Sequence, residues 1–243
     1  MTQTEFKLQY CAENLKENAL PVIVVAAGSF TRMNGTHKQF VNLCGVPLII
    51  RTLFAFENSP YISKIILVAR NEDILEMQGL CERYNINKLT DITEGGKNRQ
   101  ESVLKGIEKL DSKDERVLIH DGVRPLTDGE VIKGVVLALK DFDAALCGIK
   151  VNDTVKLCDN EGIVRETVDR SKLFLAQTPQ GVNVCKYKEA IEGLDSSAFT
   201  DDASIMEQAG FTVKLTEGSL KNIKVTTPSD IKLAEMFIRG EEE

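Results

Sequence analysis

A chain of 243 residues, 42% of them apolar, is long enough for one substantial α/β core, and a formal charge of -7 excludes a dominant basic face for bulk nucleic-acid binding. Six scattered cysteines with no CxxC pair, and only two histidines, exclude a disulfide framework and a zinc site and fit a reduced, cytoplasmic protein. No apolar run reaches the ~18–20 residues that span a bilayer, so neither membrane nor nucleic acid is expected as a partner.

Residues 1–20 are polar, with scattered Phe6, Leu8, Tyr10 and Leu15, and are predicted as a helical extension ahead of a single domain over 21–243. The run Pro21-Val22-Ile23-Val24-Val25 reads as a buried strand that delivers a tight loop, Ala26-Ala27-Gly28, followed by Arg32 and Lys38. Small residues there let backbone N–H groups approach an anion, and the two cations add charge. These are the parts of a phosphate site.

Helical spacing follows over 48–56, a strand over 64–69, a helix over 72–84 and a short strand over 89–93. A second glycine loop, Gly95-Gly96, opens a helix predicted over 102–110. The apolar run 116–120 ends in Asp121-Gly122-Val123-Arg124-Pro125, then a helix is predicted over 129–140 and a strand over 144–151. This alternation favours a mostly parallel, Rossmann-like sheet with polar residues gathered where its strands end.

The pattern changes between 153 and 169, where two short runs flank Asp159-Asn160-Glu161-Gly162 as a β-hairpin. An isolated hairpin is marginal in water, so a second subunit is expected to cover it. Helices are predicted over 186–193, 202–210 and 228–239, and strands over 212–216 and 222–225, the last carrying Lys224. Neither G-x-G-x-x-G nor G-x-x-x-x-G-K-[ST] occurs, which disfavours a nicotinamide enzyme and a P-loop ATPase.

Eight blocks appear in order: Ala26-Ala27-Gly28-x-x-x-Arg32-Met33 with Lys38-Gln39, Gly95-Gly96-x-x-Arg99-Gln100-x-Ser102-Val103, His120-Asp121-x-x-Arg124-Pro125, Asp153-Thr154-Val155-Lys156, Thr167-Val168-Asp169-Arg170-Ser171, Ala176-Gln177-Thr178-Pro179-Gln180, Thr200-Asp201-Asp202-Ala203-Ser204 and Asn222-Ile223-Lys224-Val225-Thr226. Together, over about 21–239, they resemble the 2-C-methyl-D-erythritol 4-phosphate cytidylyltransferases of non-mevalonate isoprenoid biosynthesis. Phe30 stands where the family usually has a second glycine, the segment from Arg32 to Lys38 is one residue shorter than the common form, His37 replaces a proline, and Lys97 stands where an acidic or polar residue is frequent.

The resemblance implies a three-layer nucleotidyltransferase fold with the hairpin as a dimerisation arm, and transfer of CMP from CTP to a sugar-alcohol phosphate with release of pyrophosphate. It places Arg32 and Lys38 at the α-phosphate and Lys224 between that group and the attacking phosphate. Ala26, Ala27, Gly28, Gly96, Ser102 and Gly122 would bind CTP. Asp121, Arg124, Thr154 and Thr200 would line the acceptor pocket, with Arg170 and Thr178 supplied by the partner of a homodimer. Mg²⁺ is the implied cofactor, held mainly by the triphosphate with Asp121 as the candidate protein ligand. Ribitol-5-phosphate cytidylyltransferase is the nearest alternative, and a catalytically silent nucleotide-binding protein the alternative from another class.

Overall fold

The computed structural model describes residues 18–28, 37–192 and 199–240. The helix expected at the N-terminus, Phe30 and Arg32 therefore lie outside the described residues. Seven strands form one sheet: β1 (Leu20–Val25), β4 (Ile62–Ala69), β5 (Leu89–Glu94), β6 (Arg116–Asp121), β7 (Ala144–Lys150), β10 (Phe174–Asn183) and β11 (Val213–Glu217), in the spatial order β11-β7-β10-β6-β1-β4-β5. Two small two-stranded sheets complete the β-structure, β2 (Asn42–Leu43) with β3 (Val46–Pro47) and β8 (Val155–Cys158) with β9 (Val164–Val168).

The apolar run of β1 has no polar face because both of its faces are covered. Val22 and Val24 join Ile65, Leu67 and Leu118 under α1 (Leu48–Glu57), α2 (Ile74–Arg83) and α4 (Gly129–Ala138). Ile23 turns the other way, with Ile66, Val68, Val117 and Ile119, under α3 (Arg99–Ile107), α5 (Val184–Glu192) and α6 (Asp202–Gln208). Each such side chain contributes roughly 1.5–3 kcal/mol when fully buried, so two helical layers clamp the sheet from both sides. The last helix, α7 (Pro228–Arg239), packs on a smaller cluster with Leu43, Leu48 and Val225. It starts at a capping box between Thr227 and Asp230, with a proline in its first turn.

The sheet is parallel except at β10, which runs antiparallel to both β6 and β7. This strand is absent from the sequence-based expectations. Pro179 cannot donate to a ladder and so argues against a central strand, yet it falls where the β10–β7 register breaks, between Ala176 and Gln180. The strand expected over 222–225 does not form. That stretch is a loop, anchored through Val225 N–H to the Val123 carbonyl at 2.9 Å.

Helix α3 starts three residues earlier than its apolar spacing suggests, because Asn98 caps it by accepting the Glu101 N–H at 2.8 Å. The hairpin falls as expected, and Leu157, Ile163 and Val164 on it are at least half exposed.

Candidate active site

At the C-terminal ends of the parallel strands, where β1, β5 and β6 feed their loops, lies a cavity of about 420 Å³. Ala26, Ala27, Gly28, Lys38, Gly96, Ser102, Asp121 and Lys224 all line it, as expected. A smaller cavity of about 190 Å³ adjoins through shared residues and is lined by Arg124, Thr178 and Thr200 together with Gln177, Gln180 and Asp201. Arg99, Asp121 and Lys224 line both.

The walls of the larger cavity are held by local hydrogen bonds. Ser102 Oγ accepts the Gly96 N–H at 3.0 Å and donates to the Asn98 carbonyl at 2.8 Å, which folds the second glycine loop over the start of α3. Gly122 lies beneath: an added Cβ would meet the Ala26 Cβ at 2.9 Å and the Val25 carbonyl oxygen at 3.0 Å. Its role is therefore close packing of two loops. Lys38, on a single 3-10 turn after the first loop, donates to the Thr226 carbonyl at 2.8 Å and so ties that turn to the loop carrying Lys224.

Asp121 is the electrostatic centre. Its carboxylate faces Lys224 Nζ at 2.9 Å and the Nε atoms of Arg99 and Arg124 at 3.5 Å each. Burial alone would raise this carboxyl, but Arg99, Lys224 and Arg124 outweigh it and hold it well below the usual carboxylate range. Arg99 continues inward to the fully buried Asp202, with Nη2 at 2.7 Å from Oδ2, and Tyr187 donates its hydroxyl to the other oxygen at 2.7 Å. Burial works against the Arg99 cation, yet Asp202 and Asp121 more than compensate and raise its pKa further.

His120 lies below this cluster with no exposed surface, its ring 4.7 Å from that of Phe56. Its Nε2 faces the Arg124 carbonyl at 3.2 Å and its Nδ1 faces Thr178 Oγ1 at 3.0 Å. The network assigns the proton to Nε2 and makes the Thr178 hydroxyl the donor to Nδ1. Burial lowers the His120 pKa to about 3, so the ring is neutral and structural.

Two expectations change. Thr178, expected to reach a second subunit's site, is instead built into this chain's own: it is 4% exposed, and its Oγ1 accepts the Asp121 N–H at 3.1 Å. Thr154, expected in this chain's own acceptor pocket, is exposed at the base of the hairpin and lines neither cavity. Arg170 is exposed as well, with Nη1 donating to the Asn152 carbonyl, two residues from Thr154. Sequence reasoning gave no role to Arg99, Gln177, Gln180 or Asp202, although all four lie in the quoted blocks. Their signal is an Arg at the first position of α3 and an acid after the Asp201 cap of α6.

Two mutually repelling unit charges ~4 Å apart cost about 4 kcal/mol at an effective dielectric of 20. A seam carrying Lys38, Arg99, Arg124 and Lys224 against Asp121 suits anions that must be brought together, as in joining two phosphates. The family model for 2-C-methyl-D-erythritol 4-phosphate cytidylyltransferase matches residues 20–240. This chain belongs to that family.

A relative so named from Clostridium novyi is 40% identical over 224 residues, covering 90% of this chain and 96% of its own. One from Bacillus cereus is 41% identical over 221 residues, covering 90% and 97%. The crystal structure of a 4-diphosphocytidyl-2C-methyl-D-erythritol synthase from Anaerococcus prevotii superposes with a TM-score of 0.82 at 30% identity, covering 93% of this chain and 99% of that one. The family's reaction is CTP-dependent cytidylyl transfer in isoprenoid biosynthesis, and the chain is accordingly a nucleotidyltransferase. Among the described residues no helix is long and apolar enough to cross a membrane.

Proposed function

We propose that this chain works in the cytoplasm as a homodimer and transfers CMP from CTP to 2-C-methyl-D-erythritol 4-phosphate. The observation that carries this reading is the Asp121–Lys224 pair, 2.9 Å apart and common to both cavities, because it puts one ammonium where two phosphates would meet. CTP occupies the larger cavity, its base and ribose against Ala26, Ala27, Gly28, Gly96 and Ser102, with Gly122 packed beneath them. The acceptor occupies the smaller one, against Arg124, Thr178 and Thr200.

An oxygen of the acceptor phosphate attacks the α-phosphorus in line. The bond from that phosphorus to the α–β bridging oxygen breaks, and pyrophosphate leaves with the electron pair. The nucleophile is already ionised, so no general base is required. Lys38, with Arg32 from outside the described residues, stabilises charge on the α-phosphate, and Lys224 offsets repulsion between the two phosphates. The hairpin carries Arg170, and Thr154 at its base, to the acceptor of the partner subunit. Exposed Leu157, Ile163 and Val164 supply the apolar surface for that dimer.

The family implies Mg²⁺. Among the described residues no group of three His, Cys, Asp or Glu is placed to hold a metal, and Asp121 is already shared among three cations. The described residues therefore offer no cage of their own. Bound with the nucleotide, Mg²⁺ would supply neutralisation of triphosphate charge, with Asp121 as the lining carboxylate that could face it.

Pyrophosphate release from CTP and Mg²⁺ tests the reading, with methylerythritol phosphate and ribitol 5-phosphate as competing acceptors. Methylerythritol phosphate is expected to turn over faster. Quicker formation of CDP-ribitol would reverse the assignment, and silence with both would leave a nucleotide-binding protein. Lys38→Ala is expected to lower kcat about 10²–10³-fold, the loss typical of one transition-state contact, with a far smaller effect on the unfolding midpoint from the lost bond to the Thr226 carbonyl.

A further inference from the structure

The Lys224 side chain is 46% exposed and sits on a loop rather than a strand, so its aim must come from a partner. That partner, Asp121, is itself held by arginines. Arg99 grips it from one edge of the guanidinium, Nε at 3.5 Å, and grips the fully buried Asp202 with Nη2 at 2.7 Å. Asp202 is fixed in turn by the Tyr187 hydroxyl at 2.7 Å, and its N–H donates to Gln180 Oε1 at 3.0 Å. The chain Tyr187–Asp202–Arg99–Asp121–Lys224 thus runs from the packed side of the sheet to the seam between the two cavities.

We infer that Arg99 is a positioning residue for the transfer reaction: clamped to buried Asp202, it holds the Asp121 carboxylate that aims Lys224 at the meeting point of the two phosphates. The inference rests on the function proposed above. A planar fork reaches two carboxylates through separate nitrogens, Nε and Nη2, held at a fixed spacing, which a lysine's single ammonium cannot reproduce. Charge is conserved in Arg99→Lys, so what that variant loses is geometry.

The test is a double-mutant cycle on the full chain, with pyrophosphate release from CTP, Mg²⁺ and methylerythritol phosphate as readout. Arg99→Lys is expected to lower kcat on the order of 10- to 100-fold while KM for CTP stays within about twofold. In a Lys224→Ala background the same substitution is expected to cost less than about threefold, because nothing remains to be aimed. An equal loss in both backgrounds, or kcat in Arg99→Lys within about twofold of wild type, would overturn the inference. If Arg99→Lys does not fold, Tyr187→Phe, which loosens only the far end of the chain, must show a smaller loss that likewise disappears with Lys224→Ala. A Tyr187→Phe loss that persists there also overturns it. Wild-type silence with both acceptors would instead defeat the functional reading, a separate outcome.

Discussion

Two arginine–aspartate pairs in this molecule have similar geometry and opposite surroundings. Arg99 meets Asp202 at 2.7 Å, with the aspartate side chain fully buried, whereas Arg165 meets Asp159 at 2.5 Å on the hairpin, with 62% of the arginine side chain exposed. Water competes for the second pair and screens it, so it adds little. Water has no access to the Asp202 side of the first, so losing Arg99 would strand a buried charge. Contact distance alone therefore says little about what a pair does. The enclosed pair can fix a reacting group, whereas the hairpin pair orders only its own turn and leaves the hairpin's apolar surface to find a partner elsewhere.

The contrast can be broken most directly at its buried end. Asp202→Ala leaves Arg99 without its closest anion and is expected to cost about 3–5 kcal/mol, read by urea or thermal unfolding. A loss comparable to that of an exposed pair would erase the distinction between the two regions.

A smaller effect comes from acid. His120 is lowered from 6.5 to about 3 in the folded chain, so between those values the unfolded chain binds a proton that the buried ring refuses. Stability should fall as pH falls through that window, by about 1.4 kcal/mol per pH unit from this residue, and His120→Gln should remove that slope. Asp121, also depressed when folded, has the same sign in a lower window. Its contribution, like that of Asp143, Asp159 and the other carboxylates held low when folded, is complete only about one pH unit above the ordinary carboxylate value, so measurements above about pH 5 isolate the histidine.

The least effect on folding is expected at the hairpin. Arg165→Ala should leave the unfolding midpoint where it is. Leu157→Asp should also spare the core but shift sedimentation from dimer towards monomer. A monomeric wild type would remove the dimer from the proposal.

The sheet was largely legible because apolar runs such as 21–25, 64–69 and 116–120 are buried on both faces, which gives strand signals without alternation. β10 escaped because Pro179 and the polar pair Gln177 and Gln180 disguise a central strand as a loop. Their polarity is required where the strand crosses the site: Gln180 Oε1 accepts the N–H groups of Asp202 and Ala203, and Gln177 Nε2 donates to the Ser219 carbonyl. The opposite error, a strand expected over 222–225, arose from apolar Ile223 and Val225, which pack beneath α7 instead of extending the sheet. Most site residues were found through ordered blocks. Arg99 and Asp202 gained no role because their partnership spans 103 positions, a separation that only the folded chain closes.

Strand β10 follows the hairpin after a five-residue connection that contains the 3-10 turn Arg170–Lys172, and it reaches Thr178 within four residues of Phe174, about 13 Å of extended backbone at the ordinary rise. Between them the strand stays hydrogen-bonded to β7 through Ala176. The hairpin and the smaller cavity are therefore joined by a paired stretch that ends at Ala176 and by an unpaired one, inside the register break, that holds Thr178. A movement of the hairpin would reach Thr178 only across that break, so the irregularity acts as a buffer that shields the hydroxyl facing Asp121 from whatever the hairpin meets.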